Sequence, residues 1–392
     1  MVFKEGYMIK QYSLECAVWE FTLKCNLNCI HCGSTAGGKR GDELDTKEAL
    51  KLCEDLKKTG CLGVALMGGE PLLRKDFFLV AEKIKELGMD LSIITNGTIY
   101  NDEIFEKLKE LKPRALAVSL DASTAEIHDR IRGQKGAFEK TWKFVNRALK
   151  EKLPASIITT VHKMNLKELP AMREQIKGKG IAWQIQTAGA EGARFPKEML
   201  LDADEFYSVG FFIESSRRNY LAKELPVIGA HDMGFNSMLM KNITLQNKWR
   251  GCEAGISVLG IRSNGDILGC LAINEDKFIE GNIRESSIGD IWNNPQGFSY
   301  TRNFKLEDAG ESCQGCKFLA DCKGGCNEMS LMKTGKVHND SYCFYKIEQR
   351  LFEADLKNPF KKLMLKISGL KSFLSADRKI KKLSRIFLGD RT

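Results

Sequence analysis

Apolar and polar positions along the first half of the chain alternate between two periods. Cys16–Thr22 reads as a short strand. Asp45 and Glu48 are spaced as a capping box, and Ala49, Leu52, Cys53 and Leu56 then recur at helical spacing until Gly60. Cys53 falls on that apolar face and is expected to pack in the core. The alternation repeats, with strands over Gly63–Met67, Leu91–Thr95, Ala115–Leu120, Ser156–Thr160 and Ile181–Gln186. Helices are predicted between them over Asp76–Leu87, Asp102–Leu111, Gly136–Lys150 and Leu166–Lys177. Six apolar strands separated by helices predict parallel βα units and an α/β fold. In a barrel of such units the chemistry gathers at the carboxyl ends of the strands.

The second half changes character. Asp202–Arg218 is predicted as a helix that opens on a second capping box, Asp202 with Glu205, and leads away from the barrel. His231–Met240 is rich in Met and Gly without a period, and Met233, Met238 and Met240 are expected to fill core space. Ile256–Ile261 and Asp266–Cys270 flank Ser263-Asn264-Gly265, a hairpin signal. Near the end, Phe360, Leu363, Met364, Ile367, Leu370 and Leu374 fall on one helical face with lysines elsewhere on the wheel. Such a tail suits an anionic membrane surface, an acidic partner or peptide, or the barrel itself.

Composition and charge narrow the class. The chain has 392 residues, 43% of them hydrophobic, enough for a large core. Its net charge of +9 is concentrated between Pro359 and Leu388, where nine Lys or Arg face only Asp377. The body is therefore not basic, and no nucleic-acid partner is expected. No apolar stretch reaches the length of a membrane span, and the first residues lack the apolar run of a signal peptide. Thirteen clustered cysteines in such a chain read as metal ligands in a reducing, cytoplasmic setting.

The cysteines Cys25, Cys29 and Cys32 follow the first strand in the stretch WEFTLKCNLNCIHC, spaced C-x3-C-x2-C. Three thiolates can hold three irons of one [4Fe–4S] cluster and leave the fourth open to a small molecule. Zinc is the other chemistry that such spacings allow. The triplet resembles the signature of the radical S-adenosylmethionine (SAM) superfamily, with His31 in its usual aromatic position. The resemblance implies an open partial barrel of six βα units and an anoxic or reducing setting. It also implies that the open iron chelates SAM, which is cleaved by one electron to methionine and a 5'-deoxyadenosyl radical. A reducing partner such as ferredoxin or flavodoxin follows from that chemistry.

Further matches lie after successive strands. Gly68, Gly69 and Glu70 resemble the family's GGE motif, in which a carboxylate accepts from the SAM ammonium. Thr95-Asn96-Gly97 resembles its TNG segment near the cofactor, which places Asn96 among the candidates. Ser119 and Asp121 resemble its ribose or carboxylate contacts. His128-Asp129-Arg130-Ile131-Arg132-Gly133 is similar to the H-D-x-x-R-G segment of peptide-modifying members, which makes Arg132 the candidate clamp for the SAM carboxylate. His128 is read as capping or packing. Gln184 and Gln186 share one strand face and suit either adenine and substrate or an ordinary buried polar network.

A second group comprises Cys252, Cys270, Cys313, Cys316, Cys322, Cys326 and Cys343. The Gly265-x4-Cys270 unit and the C-x2-C-x5-C-x3-C-x16-C run are similar to the SPASM domain, the auxiliary-cluster extension of radical SAM enzymes; zinc knuckles are the plainer alternative. That resemblance implies an outer cluster on Cys313, Cys316, Cys322 and Cys343 and an inner one on Cys252, Cys270 and Cys326. No cysteine follows Cys252 closely, so the inner cluster is expected to have an open iron or one filled by another residue or by substrate. Leu271 stands where sulfatase-maturing members carry a catalytic Asp, which argues against formylglycine formation. Cys16, Cys53 and Cys61 are left over.

The expected organisation is an extension over 1–15, the barrel over 16–200, a helical connector over 201–248, the auxiliary domain over 249–348 and the basic tail over 349–392. The expected cofactors are SAM and three [4Fe–4S] clusters. The leading function is radical modification of a peptide or protein side chain, foremost a carbon–carbon or carbon–sulfur crosslink in a ribosomally made peptide. The alternatives are a tetrapyrrole-modifying enzyme of the haem or haem d1 pathways and a non-catalytic Fe–S carrier or scaffold. Only 24 residues precede Cys25, so no separate leader-peptide module is expected there, and recognition would fall to a partner or the tail.

Overall fold

The computed structural model describes residues 12–189, 192–230, 233, 236–240, 243 and 249–356. The expectation for the basic tail falls outside these residues, apart from its first few positions. One ten-stranded sheet organises the fold. Its strands are β1 (Cys16–Thr22), β2 (Gly63–Gly68), β3 (Asp90–Thr95), β4 (Ala115–Ser119), β5 (Ala155–Val161), β6 (Ala182–Thr187), β7 (Val227–Gly229), β8 (Val258–Ile261), β9 (Asp266–Leu268) and β10 (Gly281–Asn282). The order across the sheet is β10-β9-β8-β1-β2-β3-β4-β5-β6-β7.

The helices are α1 (Thr46–Thr59), α2 (Phe77–Glu86), α3 (Asp102–Leu111), α4 (Ala125–Arg132), α5 (Ala137–Lys150), α6 (Leu169–Ile176), α7 (Ala203–Asn219), α8 (Ile288–Asn293), α9 (Ser299–Arg302), α10 (Leu319–Cys322), α11 (Asn327–Thr334) and α12 (Phe344–Leu356). Local chemistry sets their ends. Asp45 and Glu48 form the predicted capping box of α1, and Gly60 ends it in the left-handed conformation. Asp202 and Glu205 do the same at the start of α7.

β1 to β7 are parallel throughout. The six predicted strands are present, in an incompletely closed barrel. Some features were not anticipated, β10 and α4 among them. The connector, expected to be helical, also carries β7, which pairs with β6. The predicted hairpin, β8 with β9, does not stand apart: β8 lies parallel against β1 and extends the barrel sheet. Three- and four-residue strands are too short to register as a hydrophobic run, and only pairing with a neighbour makes them strands.

Alternation along the strands separates a packed face from an inner one. In β5 and β6, Ile157, Val161, Trp183 and Ile185 are buried, while Ser156, Ile158, Thr160, Gln184 and Gln186 are only half-buried. The core includes Trp19, Phe21 and Phe77, whose rings meet edge to face. Cys53 is fully buried in it, as predicted. Met233 and Met240 also fill core space, whereas Met238 is exposed.

Candidate active site

The loop that bears Cys25, Cys29 and Cys32 leaves the carboxyl end of β1 and is pinned from several sides. Cys25 N–H donates to the Gly37 carbonyl at 2.9 Å. Asn28 and Ile30 donate to the carbonyls of Arg132 and Ile131 at the end of α4. Arg194 donates to the carbonyls of Cys29 and Ala36. Backbone N–H groups also point at the sulfurs: Leu27 at Cys25 (3.4 Å) and Ala36 at Cys32 (3.3 Å). Such N–H···S contacts favour thiolates, although burial pushes Cys25 up to about 11.

The two glycines of the GGE segment are required by this loop. A Cβ on Gly68, whose φ is +137°, would lie 2.3 Å from the Thr22 carbonyl oxygen, and one on Gly69 would lie 2.2 Å from that of Lys24. Gly69 and Glu70 N–H donate to the carbonyls of Thr22 and Lys24. Glu70 is fully buried beneath the loop. Its carboxylate accepts from Leu72 N–H (3.2 Å), Thr95 Oγ1 (2.8 Å) and Asn96 N–H (2.8 Å). Desolvation nevertheless raises its pKa to about 7. Asn96 was expected at the cofactor, but its side chain is already engaged. It donates to Asn26 Oδ1 and accepts from Thr98, and so ties the TNG turn to the cysteine loop.

Asp121, just beyond β4, is the hub of a buried charged group. Arg132 pairs with its Oδ2 at 2.7 Å, and His31 Nε2 lies 3.5 Å from the same oxygen. Thr160 N–H donates to Oδ1, and His128 Nδ1 accepts from Asp121 N–H. His128 thus shapes the turn, as its reading as a packing residue implied. The other terminal nitrogen of Arg132 lies 3.8 Å from Cys29 Sγ. Desolvation drives His31 down to about 3, so that ring is neutral beside Asp121. Burial pushes Asp121 up, but Arg132, His31, His128 and the Thr160 N–H together hold it below its ordinary value. Arg132 therefore spans a cluster cysteine and a carboxylate, which the clamp expectation did not foresee.

His162, at the end of β5, was missed by sequence reasoning. Its ring lies 5.7 Å from that of His31. The available signal was a histidine at the carboxyl end of a βα strand. Gln184 and Gln186 share the inner face as predicted; they contact each other, and Gln186 donates to Thr160. Ser119 ends β4 half-buried.

The second cysteine group divides by position. Cys313, Cys316, Cys322 and Cys343 line one small pocket, together with Asp340 and Lys346. Cys252 lies close enough to Cys270 and to Cys326 to raise both. Burial first and neighbouring negative charge second raise all three, and Glu328 contributes to each. Glu328, another residue that sequence reasoning missed, also reaches the loop after β6: a Cβ on Gly189 would lie 3.2 Å from its Oε1. Cys16 and Cys61 lie at the amino-terminal ends of β1 and β2, far along the strands from this chemistry.

The residues present fit iron–sulfur clusters and a polar cofactor. All thirteen cysteines are free thiols. Beside the triplet, His31 Nδ1, Arg132 Nε and His162 Nε2 are buried without a hydrogen-bond partner, as groups awaiting a ligand would be.

Comparison with known proteins agrees. The model of the radical SAM superfamily matches residues 19–176, and that of the SPASM iron–sulfur cluster-binding domain matches 252–317. An AdoMet-dependent heme synthase of Methanosarcina barkeri is 30% identical over 349 residues, 84% of this chain and 95% of that protein. The mycofactocin maturase MftC of Mycolicibacterium smegmatis is 26% identical over 319 residues, 79% of this chain and 77% of that protein. The crystal structure of Streptococcus suis SuiB bound to S-adenosylmethionine superposes with a TM-score of 0.69 at 19% identity, covering 85% of this chain and 77% of that one. SuiB is also known bound to precursor peptide SuiA. The shared fold, the cysteine triplet and these relatives lead to one conclusion: the chain belongs to the radical SAM superfamily, is an enzyme that uses SAM and iron–sulfur clusters, and carries a C-terminal SPASM domain.

Proposed function

We propose that this enzyme takes a hydrogen atom from a carbon of a peptide side chain and closes a carbon–carbon or carbon–sulfur crosslink in a ribosomally made peptide. The observation that carries the reading is the placement of seven C-terminal cysteines, four lining one pocket and three sharing Glu328 as a neighbour, on a domain whose β8 extends the barrel sheet beside β1. The maturase and SuiB relatives support the peptide class.

Bound SAM would supply the hydrogen-abstracting carbon radical. Cys25, Cys29 and Cys32 hold its cluster, with Gly68 and Gly69 letting the loop settle. Glu70, ionised, accepts from the cofactor's ammonium, and Arg132 offers Nε to its carboxylate. Ser119, Gln184 and Gln186 line the inner face for ribose, adenine or substrate. Cys313, Cys316, Cys322 and Cys343 hold the outer auxiliary cluster. Cys252, Cys270 and Cys326 would hold the inner one, its fourth iron open or taken by another residue or by substrate, for three clusters in all. Crosslink closure removes a second hydrogen as a proton and leaves one electron for an acceptor.

One observation favours a second reading, a tetrapyrrole substrate. The 30% identical relative, matched over 95% of its length, is named a heme synthase. A single assay separates the two. The anaerobically reconstituted enzyme, with SAM and dithionite, is offered an iron coproporphyrin or short peptides encoded beside its gene. Release of 5'-deoxyadenosine with a peptide that loses two hydrogens supports crosslinking. Release with a porphyrin of altered mass, and none with peptides, overturns it in favour of the tetrapyrrole.

A further inference from the structure

Tyr300 in α9 presents a buried polar atom that the proposed chemistry has not used. Its hydroxyl has no hydrogen-bond partner and almost no solvent contact. The oxygen is wedged between the two backbone segments that carry inner-cluster cysteines. A Cβ on Gly269, next to Cys270, would lie 2.2 Å from it, and Ala254, two residues after Cys252, also borders that point at 3.2 Å. The phenol is held there firmly. Thr301 Oγ1 donates to the Ala254 carbonyl at 2.6 Å, and Arg302 Nε donates to that of Gly255 at 2.7 Å. The Phe278 ring meets the Tyr300 ring edge to face at 5.1 Å. A phenol carries one O–H donor.

A buried hydroxyl without a partner is destabilising, so its retention calls for an acceptor. We propose that Tyr300 O–H donates a hydrogen bond to a sulfur of the inner auxiliary cluster and raises that cluster's reduction potential. Donation to sulfur withdraws electron density and stabilises the reduced, more negative core. Tyr300 is thus a positioning residue that sets how readily the inner cluster accepts an electron. The inference rests on the three-cluster reading.

The test uses the full chain with Cys25, Cys29 and Cys32 changed to Ala, so that only auxiliary clusters assemble, with and without Tyr300→Phe. Iron and sulfide content, redox titration followed by electron paramagnetic resonance, and exchangeable-proton hyperfine coupling are measured. The expected result is unchanged iron, loss of one exchangeable coupling, and a reduced-to-oxidised ratio at fixed potential that falls roughly tenfold, about 59 mV for one electron. Full iron with unchanged potential and coupling overturns the hydrogen bond and leaves the three-cluster reading standing. Iron for only one auxiliary cluster in the parent overturns both. Should Tyr300→Phe lose iron, 3-fluorotyrosine at position 300 keeps the ring and donates more strongly. The potential then rises, and an unmoved potential overturns the proposal.

Discussion

Arg132 and Asp121 form a fully buried ion pair at 2.7 Å, and the same guanidinium reaches Cys29 Sγ at 3.8 Å. The charge that balances Asp121 is therefore also a cation in contact with a thiol of the triplet. Removing Arg132 leaves a buried carboxylate without its partner, a loss of about 3–5 kcal/mol. Arg132→Ala is expected to lower unfolding stability by that amount in apo protein under reducing conditions. Adding Asp121→Asn should recover part of it, as denaturant titration of both variants would measure.

Glu70 predicts a pH dependence of definite sign. Its folded pKa, about 7, lies above the ordinary 4.5 because burial penalises the ionised form. Its contribution to stability is therefore full below about pH 4.5 and is lost as pH rises through 7. Glu70→Gln should flatten that part of the apo stability profile. In the proposed role the carboxylate meets SAM's ammonium in its ionised form, so affinity should rise with pH up to about 7 and then level off. Binding below that pH should release a proton, which calorimetry in buffers of different ionisation enthalpy detects.

Gly69→Ala forces a Cβ to 2.2 Å from the Lys24 oxygen and 2.7 Å from that of Leu23. Neither backbone can yield without moving Cys25. Overpacking of this kind costs about 1–3 kcal/mol. The expected outcome is loss of the SAM-binding cluster with retention of the auxiliary ones, read as a drop of about a third in iron per chain and abolished SAM cleavage.

Cys53 and Cys322 are both buried thiols, yet their substitutions should behave differently. Cys53 is surrounded by core side chains, so Cys53→Ala should keep full iron content and lose only about 1 kcal/mol. Cys322 lines the cavity with three other thiols, and Cys322→Ala should lower iron content and remove the matching paramagnetic signal.

Much of the barrel was legible because its signals are local. The capping boxes at Asp45 and Asp202, the helix stop at Gly60 and the six apolar strands each lie within a short window. β7 and the joining of β8 to β1 were not legible, since a strand of three or four residues is defined by its pairing partner. The candidate site divides in the same way. The cysteine triplet and Glu70 carry a spacing, while His162 and Glu328 carry none. Their relevance arises only when β5 and α11 bring them to the cysteines.

Asn96 and Arg132 show the limit most clearly. Their segments pointed to the cofactor, yet one side chain ties the TNG turn to the cysteine loop and the other joins Cys29 to Asp121. By itself the sequence determined the βα repeat, the positions of the thiols and the family they imply, because periodicity, caps and cysteine spacing act over a few residues. Only the tertiary structure decided which thiols share a cavity, which charge balances Asp121 and where the Tyr300 hydroxyl is buried. Those depend on desolvation and on contacts between residues far apart in the chain, which no local pattern encodes.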